Sequence, residues 1–156
     1  MAKSKEPPLT RDQIMAVDVG GKTVSEWEAE WSYVEHGFTA EQPNLSGLLG
    51  LYRATMREDI MYIGRSIEIN YGLQKRLRDY SRDSDSARDH FGAQKIMDNI
   101  DFVKCDVIVV GVDDEAQKNT AILKGLMIDL HRPEWNVGEE AIAHKRHKFY
   151  ADRSAK

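Results

Sequence analysis

Four residues of this sequence have side chains that could act together on a phosphodiester: Tyr52, Tyr62, Arg76 and Asn136. Hydrolysis of a phosphodiester requires a deprotonated water for the attack and positive charge beside the phosphoryl oxygens. A phenol, whose pKa is ordinarily about 10, accepts a proton from water at neutral pH only where neighbouring positive charge lowers that pKa. A guanidinium supplies such charge and binds two phosphate oxygens at once. Structural interpretations stay open beside this one: hairpin packing for the tyrosines, a solvated surface charge for Arg76 and helix-end capping for Asn136.

The sequence around these residues predicts the elements that position them. Two apolar runs on either side of a polar turn predict a β-hairpin that carries both tyrosines. Leu73 and Leu77, four residues apart among basic side chains, predict a helix that carries Arg76. The predicted elements are, in chain order, a helix over 26–36, hairpin strands over 48–54 and 60–64, a helix over 69–81, a polar loop over 81–89, a short helix around 93–97, a strand over 102–112, and a helix that starts at Asp113 or Asp114 and ends before Pro133.

The predicted N-terminal helix combines tryptophans with acidic residues. Trp27, Trp31 and Val34 fall at helical spacing, and Ser25 and Glu28 have the spacing of a capping box. We interpret the tryptophans as core contacts with the following domain, with nucleic-acid stacking as the alternative. The acidic residues would form the outer face of this helix, which favours packing on the domain or on a partner protein over contact with DNA.

Length and charge are typical of one globular domain. The chain has 156 residues, of which 41% are hydrophobic and 31% charged, and its net charge of −4 argues against coating nucleic acid by bulk charge. Local basic surfaces remain compatible with that total. No apolar run reaches the ~20 residues that cross a bilayer, and residues 1–8 lack the apolar core of a secretory signal. Cys105, the single cysteine, excludes an internal disulfide. We therefore expect a cytoplasmic protein with no membrane partner.

A basic stretch near the C-terminus adds a further candidate surface. Lys145, Arg146 and Lys148 are followed directly by Phe149 and Tyr150. Basic side chains interleaved with aromatic ones suit contact with a phosphate backbone together with base stacking. A frayed basic terminus is the alternative interpretation.

Two hairpin triplets, a basic helix and a closing motif together resemble the GIY-YIG nuclease superfamily. These motifs are Gly50-Leu51-Tyr52, Tyr62-Ile63-Gly64, Gln74-Lys75-Arg76-Leu77-Arg78-Asp79-Tyr80 and Arg132-Pro133-Glu134-Trp135-Asn136. Each motif is weak by itself, and their order within a ββ-α-β-α pattern carries the resemblance, which covers residues 48–137. The basic helix is most similar to the excision-repair endonuclease branch, with Tyr80 where many other members have a histidine. The stretch from Gly64 to Arg76 is longer than in the excision-repair pattern.

The resemblance implies an α+β fold with a small three-stranded antiparallel sheet flanked by helices, here with an N-terminal helical extension. It implies a division into an extension over 1–45, a nuclease-like domain over 46–137 and a basic tail over 138–156. It also implies that Tyr52 activates the attacking water with the support of Tyr62, that Arg76 binds the phosphate and that Asn136 orders the site.

The family also implies one Mg²⁺ or Mn²⁺ ion held by a glutamate on the last helix, and Lys124 stands at that position. An ammonium has three donors and no acceptor, so it cannot ligate the ion. Asp129, Glu134 and Glu115 lie at the wrong phase or distance along the helix to replace the glutamate. Three explanations remain open. The chain is a naturally inactive relative that binds nucleic acid or protein, an inactivated form of an active nuclease, or an enzyme in which Lys124 neutralises phosphoryl charge without metal.

The predicted function is that of a GIY-YIG-type DNA endonuclease whose metal-dependent activity Lys124 prevents. The alternative is a pseudo-nuclease that binds nucleic acid or protein. The third class is a protein-interaction factor that does not bind DNA. The predicted nucleic-acid contacts are Arg65, Arg76, Arg78, Lys145, Arg146 and Lys148.

Overall fold

The computed structural model describes residues 8–81 and 91–136. The helices and strands of these residues, in chain order, are α1 (Arg11–Met15), β1 (Asp18–Val19), β2 (Lys22–Thr23), α2 (Val24–Glu28), β3 (Ser32–Val34), β4 (Leu49–Met56), β5 (Asp59–Ser66), α3 (Gly72–Arg78), α4 (Phe91–Asp98), β6 (Lys104–Gly111) and α5 (Asp114–His131). Lys145, Arg146 and Lys148 of the predicted basic tail lie outside the described residues, as does nearly all of the predicted polar loop over 81–89.

The chain forms an α+β fold around an antiparallel sheet with the strand order β3-β6-β4-β5. The predicted hairpin, the strand at β6 and the long last helix are confirmed. Arg57 and Glu58 make the hairpin turn with φ values of 54° and 71°. Asp113 begins α5 by accepting a hydrogen bond from the backbone N–H of Ala116, at 2.9 Å, through its side chain. A separate two-stranded sheet of β1 and β2 precedes α2.

The predicted helix over 26–36 is wrong, and the main sheet has four strands in place of the predicted three. The capping box is made by Thr23 and Glu26, so α2 starts earlier than predicted and ends at Glu28. The chain then turns, and β3 pairs with β6, with Ser32 opposite Val107. This pairing gives hydrogen-bond partners to backbone groups at the edge of β6. Those hydrogen bonds stabilise the strand more than the helical spacing of the apolar residues would stabilise a helix in this segment.

Side-chain alternation along the strands divides the interior into two cores. Leu51, Ile63 and Ile108 point toward α5 and share a core with side chains of α1 and α2, including Ile14 and Trp27. Trp27 thus makes the predicted core contact, and the N-terminal segment packs on the same sheet as the rest of the chain. The opposite face of the sheet carries both tyrosines of the predicted site and is covered by α3, α4 and Trp135.

The acidic residues near α2 contact partners within the chain. The Glu28 carboxylate lies 2.5 Å from Nε2 of His131 and accepts a hydrogen bond from the Trp31 indole N–H at 3.0 Å. Burial by itself would raise the pKa of Glu28, but these hydrogen bonds outweigh it and the pKa is lowered. Glu30 pairs with Lys22 at 2.6 Å. The continuous acidic helix face predicted for a protein partner therefore does not form over residues 24–36.

The Arg53 side chain on β4 connects the sheet to the residue that precedes β3. Its Nε donates to the Asp106 carboxylate at 2.8 Å, and its guanidinium lies 4.5 Å from the ring centroid of Trp31. Each helix in the described part of the chain is too short or too polar to cross a membrane.

Candidate nucleic-acid-binding cleft

Tyr52 and Tyr62 lie on the same face of the predicted hairpin. Tyr52 pairs with Gly64 and Ala54 pairs with Tyr62, so both rings project toward α3 and α4. The ring centroids are 6.2 Å apart, with 45° between the ring planes. Gly64 allows this arrangement because the Tyr52 ring lies directly over its backbone, where a Cβ would stand 2.2 Å from Cζ of Tyr52.

Gly64→Ala should lower the free energy of unfolding by roughly 1–3 kcal/mol, because the added methyl group overpacks the tyrosine ring. Equilibrium unfolding in urea measures the loss. The matched experiment repeats the substitution in a Tyr52→Ala background, where the ring is gone and Gly64→Ala should cost much less. The same cost in both backgrounds would contradict the contact.

A buried hydroxyl pair lies beneath Arg76. The hydroxyls of Tyr52 and Tyr80 are hydrogen-bonded to each other, and the Arg76 Nε donates to the Tyr52 oxygen at a long distance of 3.4 Å. Interaction with Tyr52 raises the pKa of Arg76 although burial opposes it, so the guanidinium stays charged. Burial raises the pKa of Tyr80 well above its ordinary value, so Tyr80 keeps its proton and can donate it to the Tyr52 oxygen. The sequence marks Tyr80 only as the residue at the family's histidine position, and its contact with Tyr52 is visible only in the structure.

A cleft of about 270 Å³ opens beside this hydroxyl pair. Its wall is formed by Tyr62, Arg65, Ser66, Ile67, Glu68, Arg76 and Lys124. Arg65, Arg76 and Lys124 are half-buried and come from β5, α3 and α5, so three elements each contribute one cation. The Gln117 side chain of α5 donates to the Ile67 carbonyl at 2.7 Å and holds the chain after β5 against that helix. Tyr62 is part of the cleft wall although it is itself buried, and Tyr52 is fully buried behind it.

The residues of this cleft do not fit the divalent ion that the family resemblance implies. Among the described residues Glu68 is the single carboxylate on the wall, and its oxygen lies 2.7 Å from the Lys75 Nζ. Asp129 is buried elsewhere on α5, with one carboxylate oxygen 3.9 Å from the Arg132 guanidinium. Within residues 8–81 and 91–136, no group of three or more His, Cys, Asp or Glu side chains is placed to hold a metal. A hard cation requires several oxygen ligands, and the cleft instead carries Lys124.

Comparison with protein-family models, curated proteins and solved structures finds no match to this chain. The likeness to GIY-YIG nucleases therefore remains a proposal that depends on the motifs and on their placement.

Besides the buried Tyr52, two of the predicted site residues that the structure describes lie apart from the cleft wall. Asn136 forms paired hydrogen bonds with the backbone of Ile63: its Oδ1 accepts from the N–H and its Nδ2 donates to the carbonyl, each at 2.9 Å. It thus continues the outer edge of β5, next to the hydrogen bond that the Trp135 N–H donates to the Met61 carbonyl at 2.8 Å. Arg78 pairs with Glu41 at 3.2 Å. The structure thus places Tyr62, Arg65, Arg76 and Lys124 around one space, with Tyr52 beneath it.

A larger cavity, of about 400 Å³, lies at the opposite end of the sheet between the chain after β3 and the residues before β6. Cys105 is part of its wall but is itself buried, and burial raises the pKa of the thiol, which therefore stays protonated. Cys105 is thus not an activated nucleophile, and the cleft beside Arg76 is the better candidate site.

Proposed function

We propose that this chain is a GIY-YIG-type domain that binds the phosphodiester backbone of DNA in the cleft between β5, α3 and α5. The observation that carries the proposal is the convergence of Arg65, Arg76 and Lys124, together with the Tyr62 ring, on one cleft wall. The proposal matches the family's expected core to β5, β4 and β6, which have α3 and α5 on opposite faces.

The composition of the cleft suits the phosphodiester groups of a nucleic-acid backbone, which carry a negative charge at every nucleotide. Three cations from separate elements can approach a tetrahedral group from different sides, and each arginine can bind two of its oxygens. Their partial burial strengthens these interactions relative to those of fully exposed charges. The Tyr52 and Tyr80 pair under Arg76 holds the guanidinium in place, so little side-chain freedom remains to be lost when a phosphate binds.

We further propose that the chain with Lys124 does not cut DNA in a metal-dependent reaction. The wall holds an ammonium where the family would hold a carboxylate, and the positive charge repels a divalent ion. Hydrolysis without metal is the second candidate, because Lys124 shares the cleft wall with Tyr62 and could neutralise phosphoryl charge. Incubation with DNA in excess chelator separates the two: cutting under those conditions would favour the metal-free enzyme over the binding module.

Arg76→Ala should weaken DNA binding by roughly tenfold at low salt, since a charge-assisted hydrogen bond is worth about 1.5–3 kcal/mol. The slope of log K against log salt concentration should fall by about one unit, because one phosphate contact is lost. Fluorescence anisotropy titrations at several salt concentrations measure both quantities.

Lys104→Ala is the matched control for this charge removal. Lys104 is exposed on β6 opposite Thr55, whereas the cleft lies near the other end of the same sheet, where Ser66 pairs with Gly50. The control should leave the salt slope unchanged. Equal effects of the two substitutions would mean that Arg76 acts as a general surface charge, and failure of the unaltered protein to bind DNA would end the proposal.

A further inference from the structure

We propose that Tyr71, whose ring lies by Lys75 next to Glu68 of the cleft wall, stacks on an unpaired base, so that the preferred ligand of this domain is single-stranded DNA. This inference rests on the proposed function, since it concerns the nucleotide next to the phosphate bound by Arg76. It follows from the position, exposure and neighbours of the tyrosine ring.

Tyr71 projects from a turn whose backbone is fixed on both sides. Asn70 and Gly72 have φ values of 79° and 70°, and a Cβ on Gly72 would stand 2.5 Å from the Leu48 backbone nitrogen. Backbone hydrogen bonds close the turn: Tyr71 N–H to the Glu68 carbonyl at 3.1 Å, and Gly47 N–H to the Tyr71 carbonyl at 3.2 Å. Because this backbone is already ordered, binding through Tyr71 loses little conformational entropy.

The ring of Tyr71 is exposed to solvent, and Lys75 contacts both this ring and a residue of the cleft wall. Tyr71 is 58% exposed although the Lys75 Nζ lies 4.6 Å from the ring centroid, over one face. That Nζ also lies 2.7 Å from the carboxylate of Glu68, which forms part of the cleft wall. Arg76 follows Lys75 directly in α3. An aromatic surface therefore lies one side chain away from the proposed phosphate site.

An exposed aromatic ring beside a cationic cleft matches the chemistry of an unpaired nucleotide. Every base has a flat apolar face, and stacking on an aromatic side chain contributes without selecting the sequence. Within a duplex those faces are covered by neighbouring base pairs, so a ring at this position gains most from an unpaired base.

The test compares a mixed-sequence single-stranded oligonucleotide with a blunt-ended duplex that contains it, by fluorescence anisotropy. Tyr71→Ala should weaken single-strand binding by about tenfold and leave duplex binding nearly unchanged. Tyr71→Phe should keep single-strand binding, because the stacking ring remains. Phe102→Ala is the matched control: Phe102 is 73% exposed but lies by the cavity at the opposite end of the sheet, so it should have no effect.

A second measurement observes the stacked base directly and does not depend on a folded alanine variant. A single strand containing 2-aminopurine should lose fluorescence when the unaltered protein or Tyr71→Phe binds, because stacking quenches this base, and the quench should be absent for Tyr71→Leu. If Arg76→Ala weakens binding while Tyr71→Ala leaves the single-strand affinity and the quench unchanged, this inference is overturned and the proposed function stands. If the unaltered protein binds neither strand form, the proposed function fails with it.

Discussion

Lys124→Glu should create a divalent-ion site in the cleft and, in chelator, weaken DNA binding by at least roughly tenfold at low salt. The change replaces an ammonium by a carboxylate on a wall that also carries Tyr62. Removing the positive charge eliminates the repulsion of the ion, and the new carboxylate supplies an oxygen ligand. Without the ion, the same carboxylate repels phosphate, so the affinity for DNA should depend on added Mg²⁺ or Mn²⁺.

Electron paramagnetic resonance of Mn²⁺ measures ion binding, and anisotropy and gel assays with Mg²⁺, Mn²⁺ or chelator measure DNA binding and cutting. Lys118→Glu is the matched control: it makes the same charge change on α5 at an exposed position six residues earlier, about 120° away around the helix. Metal-dependent cutting by Lys124→Glu alone would show that one substitution separates this chain from an active nuclease. Absence of ion binding in Lys124→Glu would mean that the new carboxylate pairs with Arg65 or Arg76, and that the binding-module function should replace the nuclease.

Asn136→Ala should lower the free energy of unfolding by roughly 3 kcal/mol, since it leaves a buried backbone N–H and a buried carbonyl of Ile63 without these partners. Asn136→Asp should be nearly as costly, because a carboxylate can accept from the N–H but cannot donate to the carbonyl. Equilibrium unfolding in urea measures both variants.

Asn99→Ala is the matched control for this loss. The Asn99 amide donates a single hydrogen bond, at 2.9 Å, to the Lys95 carbonyl in a partly exposed position, so its removal should cost about 1 kcal/mol or less. If Asn136→Ala lowers the free energy of unfolding no more than Asn99→Ala does, the paired hydrogen bonds to Ile63 do not stabilise the edge of β5. Because Tyr62 adjoins Ile63 in that strand, Asn136→Ala should also weaken DNA binding in protein that remains folded.

The elements that local sequence specifies were predictable because their signals lie within a few residues. The hairpin follows from two apolar runs with Arg57 and Glu58 between them, and α5 follows from Asp113 as its cap and Pro133 beyond its end. The position of Lys124 on the last helix could be counted in the same way. The shared face of Tyr52 and Tyr62 does not follow from the hairpin pattern alone. The turn pairs Met56 with Asp59, and simple alternation from there would place the two tyrosines on opposite faces; the register shift between Ala54 and Thr55 sets Ala54 opposite Tyr62 and brings both rings to one face.

Features that depend on distant parts of the chain could not be read from local patterns. The segment 26–36 has helical spacing, but Ser32 pairs with Val107, and only the folded sheet places that strand edge beside it. Asn136 looks like a residue at a helix end, yet it bonds to Ile63, seventy-three positions earlier in the chain. In both cases the partners are backbone N–H and C=O groups at the edge of a strand that is distant in the chain, and the local sequence does not reveal them.

By itself, the sequence determined the residue types of the candidate site and the elements that carry them, because strand alternation and helical periodicity are local rules. Only the tertiary structure decided which side chains face the ligand space. It buried Tyr52 against Tyr80, placed the buried Tyr62 in the cleft wall, and placed the exposed ring of Tyr71 by Lys75, which pairs with Glu68 of that wall. These outcomes depend on how α3 and α5 pack against the two faces of the sheet, and that packing is set by contacts between residues far apart in the chain.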